Sequence, residues 1–241
     1  MNEKKFMTLK NAKILWVSGI IIEIGLMVFY MFIPAIFRGI YTKFALTRSA
    51  YLTVLIIYSV LILIALKIIS DISQDKKIFY YFLAALLIEF TWGLVRIPIT
   101  RSISRMHPNT HHEIISLLVK NFVFENIPNW IVALAVAILY FLVLYRVYAF
   151  TKDARFKLGG ILLLTAVCIN IIYGPINFVL AVQNYTSTKP FNNAHNAHLL
   201  NKISSYIWAT SSIITIIALV ILVFAILQMK YTPRIKQENT V

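Results

Sequence analysis

Cysteine is almost missing from this chain. The single residue, Cys168, excludes an intrachain disulfide framework and a cysteine-rich zinc module. Glycine is scarce at seven residues, and none are spaced as GxxxG, so the tight helix-dimer face that motif builds is excluded. The GxxxxGK[ST] loop is absent too, which leaves the chain without a nucleotide-hydrolysing motor of its own. No HExxH helix occurs, and no long apolar run contains a histidine, so haem ligation within a bilayer is excluded. Acids are few, with nine Asp and Glu against 23 Lys and Arg and a formal net charge of +14.

Apolar residues supply the bulk instead. They make up 60% of the chain, charged residues 13%, and mean hydropathy is +0.79. Soluble domains hold roughly half apolar and a quarter charged residues, so this composition belongs to a membrane. A spanning helix needs about 20 mostly apolar residues. Six such runs occur, at 14–36, 51–70, 79–98, 129–149, 159–182 and 206–229. Helix is the form required, because open strands would leave backbone groups unpaired in lipid. The fold expected is therefore all-α, a polytopic six-helix bundle forming one transmembrane domain over residues 1–241. The first run is longer than a signal-peptide core and lacks a small-residue cleavage site, so it reads as a retained span.

Lysine and arginine give the orientation. With both termini inside, fourteen of the 23 cations fall on the inner side, as the positive-inside rule requires. The expected location is the cytoplasmic membrane. Basic inner loops facing anionic headgroups account for the net charge without nucleic acid. Trp16, Trp130 and Trp208 each stand near a span end, where indole rings prefer to lie. The stretch 6–20, FMTLKNAKILWVSGI, resembles the opening of transporter permease subunits, which implies an ATPase or another membrane subunit as partner. The inner loop DISQDKK is shorter than the coupling segment such subunits usually carry.

Between spans 3 and 4, Thr110 and Glu113 in THHE have the spacing of a capping box. Ile115, Leu118, Val119 and Phe122 then recur at helical spacing. This predicts an amphipathic helix over about 111–126, lying on the outer membrane face and ended by Pro128.

All five histidines fall in outer segments. His107, His111 and His112 precede span 4, and His195 and His198 precede span 6. If the two groups met, their neutral imidazoles could hold zinc, giving a membrane-embedded metalloenzyme. The plainer reading is solvated loop residues, and a pH-sensing role is intermediate.

The stronger chemical signal lies within the spans. Spans 1, 3 and 5 carry Glu23, Glu89 and Asn170 near mid-depth, each followed by a proline: Pro34, Pro98 and Pro175. Trp92 and Arg96 share a face with Glu89, at offsets of three and seven, and Tyr173 and Asn177 stand likewise to Asn170. A charged residue at a helix centre costs about 3 kcal/mol on insertion scales, so these groups should face one another or a watery cavity. They could equally be packing glue between helices. The functional expectation is an outward-facing polar pocket among spans 1, 3 and 5, serving transport, export or immunity-type protection. The alternatives are the zinc enzyme and a non-catalytic, partner-binding membrane subunit.

Overall fold

The computed structural model describes residues 3–36, 45–106, 110–186 and 190–230. Among the described residues are seven α-helices: α1 (Glu3–Ile36), α2 (Ala45–Ser73), α3 (Lys76–Ser104), α4 (His111–Asn121), α5 (Ile127–Thr151), α6 (Ala154–Thr186) and α7 (Pro190–Gln228). No strand occurs among the described residues. Six helical segments are long and apolar enough to cross a membrane: Thr8–Val28, Thr53–Ser73, Lys76–Ile103, His112–Thr151, Ala154–Ile176 and Ala209–Gln228. Each overlaps one of the six apolar runs, so the chain has the make-up of a multi-pass membrane protein.

Two segments differ from the expectation. The capping box forms as read: the Glu113 amide donates to Thr110 Oγ1 at 3.3 Å, and the Thr110 amide donates to Glu113 Oε2 at 3.2 Å. Yet the helix it starts does not end at Pro128. A π-helical turn, Phe122–Asn126, joins α4 to α5, and the Ile127 amide reaches back five residues to the Phe122 carbonyl. Pro128 then sits in the first turn of α5, where a missing N–H is tolerated. The amphipathic stretch is thus an extension of the fourth span, packed on α6 and α3. The second difference is the segment before span 6. Residues 190–205, expected as loop, are the first turns of α7. Proline at its first position is pre-organised for a helix start.

Each spanning helix packs against its neighbours in sequence, and α7 packs back against α1. The order α1–α2–α3–α5–α6–α7 therefore closes on itself as a ring. Tight turns make it alternate up and down: α2 gives way to α3 through Gln74 and Asp75, and α5 to α6 through Lys152 and Asp153. Gln74 and Lys152 both adopt the left-handed conformation, at φ 57° and 61°, which ends a helix abruptly. An even number of spans brings both ends of the chain to one end of the ring. There Lys13 Nζ donates to the Leu227 carbonyl at 3.2 Å.

That terminal end is where the core lies. Trp16, Ile20, Leu66, Ile69, Ile78, Phe82, Val147, Phe156, Leu222 and Ile226 belong to one buried cluster. Trp16 is a correction to the interfacial role expected of it. It is buried and stacks on Phe156, with ring centroids 5.9 Å apart. Small residues allow the close approach: a Cβ on Gly159 would lie 2.7 Å from Leu222, and one on Gly19 would lie 2.7 Å from Ile62. Polar groups seal the turn, with Ser70 Oγ donating to the Asp75 carbonyl at 3.0 Å and Arg146 Nη1 lying 3.7 Å from Asp75 Oδ2.

Candidate functional site

A ring of six helices with bulky side chains need not close at its centre, and this one does not. A cavity of about 370 Å³ lies inside it, lined from all six spanning helices. Glu23 of α1 and Glu89 of α3 both line it. Tyr140 of α5 lines the same cavity. Glu89 stands thirteen residues from the start of the 29-residue α3, close to its middle and so around mid-depth of a layer the helix crosses. The floor is the packed terminal half, where Trp16, Leu66, Phe82 and Leu222 meet. Toward the far end α3 stands clear, and residues 87–98 are all exposed except the half-buried Trp92.

Aromatic rings make up much of the wall. Tyr58, Phe82, Trp92 and Tyr140 all face the cavity. Trp92 is held in place by its indole N–H, which donates to Asn129 Oδ1 at 3.1 Å. Asn129 also lines the cavity, at the first turn of α5. Apart from the carboxylates and phenols, the polar lining is Asn129 and Thr215, together with the indole N–H groups of Trp16 and Trp92. Among the described residues no lysine, arginine or histidine lines the cavity. Among the described residues, no hydrogen bond or ion pair reaches either carboxylate.

Arg96 forms an ion pair with an acid on another element. It lies one turn beyond Trp92 and donates from both Nε and Nη2 to Glu125 Oε1, at 2.9 and 2.6 Å. Glu125 is buried within the π-helical turn. Two rungs, Trp92–Asn129 and Arg96–Glu125, thus tie α3 to the π turn and α5 above the cavity. Sequence reasoning missed Glu125. A usable signal was present: an arginine in a span needs an acid, and only nine acids exist in the chain.

The span 5 group does not line the cavity. Asn170 Nδ2 donates to Ser211 Oγ at 2.8 Å, and Ser211 Oγ donates to the Ala166 carbonyl at 3.0 Å. Asn170 therefore bridges α6 and α7, the packing role that was the alternative for it. Tyr173 is on the same helix, and among the described residues its buried hydroxyl has no hydrogen-bond partner. The side chain of Asn177 lies outside the described ones. The wall takes more of its lining residues from α5, the span that read as merely apolar, than from any other helix. Small residues make that room: Ala133 and Ala137 lie on the cavity face of α5.

Of the histidines, His107 lies outside the described residues, as do the side chains of His111, His195 and His198. The backbones of His195 and His198 are in the first turns of α7, and His112 is an exposed first-turn residue of α4. Among the described residues no three His, Cys, Asp or Glu side chains converge to hold a metal. No known protein family, curated protein or solved structure matches the chain.

Proposed function

We propose that the chain is a transport-type protein of the cytoplasmic membrane, with both termini in the cytosol, and that the central cavity is its solute site. The carrying observation is that two carboxylates from different helices, Glu23 and Glu89, line one cavity at mid-depth. Intramembrane acids are costly, and a bundle built only to be stable could replace both with leucine at a gain. A volume of about 370 Å³ falls in the range of small-molecule sites. The orientation is supported by the basic terminal end, where Lys10, Lys67, Lys76, Lys77, Lys152, Arg155 and Lys157 gather around the turns. Export and immunity-type protection are both served by such a site, since each removes a molecule from the membrane or the cell.

Cysteine accessibility tests this directly. In a Cys168→Ser background, single cysteines replace Ala133 and Val136 on the cavity face of α5. A membrane-impermeant thiol reagent is then applied to one side of oriented vesicles at a time. Transport requires labelling from both sides, each in a different fraction of molecules. Labelling from one side only, under all conditions, leaves a closed-ended receptor or structural subunit. A reporter on the carboxyl terminus that reads as extracellular reverses the orientation.

A further inference from the structure

The cavity has an unbalanced chemistry. Its titratable groups are Glu23 from α1, Tyr58 from α2, Glu89 from α3 and Tyr140 from α5, while α6 and α7 contribute none. Every one of these is neutral or negative, and among the described residues no basic side chain lines the wall to neutralise them. Two ionised carboxylates facing one cavity repel each other, so a proton or a cation between them stabilises the pair. The wall also selects the kind of cation. Calcium takes six to eight oxygen ligands, and magnesium needs six in near-octahedral order. Here the polar groups are few and spread over five helices, and most of the surface is aliphatic or aromatic. Ring faces attract cations that have little water of their own to lose. Trp92, anchored by Asn129, and the rings of Tyr58 and Tyr140 offer such faces in the same cavity as the carboxylates.

We propose that the cavity binds a lipophilic organic cation between Glu23, Glu89 and the surrounding rings, and that its entry displaces carboxyl protons from the site. In balance, an O–H bond breaks at one carboxyl group, the proton passes to bulk water, and the cation's charge replaces it beside the carboxylate. No oxidant, reductant or second substrate enters. The exposed far half of α3, including Phe90 and Leu94, gives an amphiphilic cation a route from the lipid side as well as from water. This identification of the ligand rests on the transport reading, and binding can be tested separately from transport.

The test uses the full chain purified in detergent, with tetraphenylphosphonium as probe, because its charge does not titrate. Trp16 and Trp92 in the wall supply a fluorescence signal. Expected are saturable binding, proton release matched to it in weakly buffered solution, and an affinity that rises about tenfold per pH unit while one proton leaves per cation bound. The sign follows from competition: protons hold the carboxyls at low pH and yield them as pH rises. Tetraphenylborate, of equal shape and opposite charge, should not compete. The double variant Glu23→Gln, Glu89→Gln should lose at least tenfold in affinity and all pH dependence. Equal binding of tetraphenylborate, a flat pH profile in the unmodified chain, or displacement of the probe by millimolar calcium each overturns the proposal. The first two comparisons need no variant, so a misfolded mutant does not protect it. If the probe binds as expected while the α5 cysteines label from one side only, the ligand class stands and transport fails. If both sides label and the probe does not bind, transport stands and the ligand class fails.

Discussion

The terminal half of the ring and its far half are built from the same apolar alphabet to opposite ends. Near the termini, Phe156 is completely buried against Trp16, and glycines at 19 and 159 let helices approach to side-chain contact. Beyond the carboxylates, Phe90 on α3 is 67% exposed, and the link to α5 depends on polar rungs rather than on an apolar seam. A solid half provides the rigid base, and the looser half leaves room for a ligand and for movement. Elements that move are drawn from the regions with few buried contacts.

Substitutions can break or sharpen that contrast. Phe156→Ala should cost about 3 kcal/mol of stability through the cavity it leaves, whereas Phe90→Ala should change it by less than ~0.5 kcal/mol. Detergent unfolding midpoints of the two variants measure the difference, and equal losses would erase the distinction between the halves. Next in size is the rung at the π turn. Glu125→Gln should cost about 2 kcal/mol, because Arg96 loses a charged partner while 47% of its own side chain can still find water. A double-mutant cycle with Arg96→Met isolates the pair, and a coupling energy near zero would remove it as a link between α3 and α5.

A smaller effect is expected at the start of α6. Asp153 accepts the Arg155 amide at 3.0 Å and Arg155 Nε at 2.9 Å. The hydrogen bonds from Arg155 hold its carboxyl below the usual aspartate value. The stability this brings is complete above pH ~4, near the unfolded value, and is lost as pH falls through the lower folded one. Asp153→Ala should cost about 1 kcal/mol at neutral pH and progressively less in acid. The smallest effect on stability should come from Glu89→Gln, which leaves membrane abundance unchanged while impairing activity. Loss of abundance and activity together would make Glu89 a packing residue.

Legibility from sequence followed the range of the interactions. The six spans were readable because each is a local excess of apolar residues over a length the bilayer sets. The capping box was readable because Thr110 and Glu113 are three residues apart and act on each other. Glu23 and Glu89 stood out because ionisable groups are costly at those depths. Which of the marked residues meet was a different matter. Asn170 had the same outward signature as the two acids and turned out to bridge α6 and α7 through Ser211. Arg96 was paired in expectation with nothing definite, and its partner came from a π turn with no local pattern to announce it. Pro128 read as a stop, and the helix passed through it because the chain there could bond five residues back.

The residues alone, then, determined the number of spans, the even topology that returns both ends to one side, and the presence of charge at mid-depth. These follow from transfer free energies that each segment carries by itself. Only the tertiary structure decided that the helices close into a ring, that α5 rather than α6 walls the cavity beside α1 and α3, and that Glu23 and Glu89 share it. Lipid rewards every apolar face alike, so the choice of neighbour is left to side-chain shape and to a few hydrogen bonds between distant residues, which no single stretch of sequence contains.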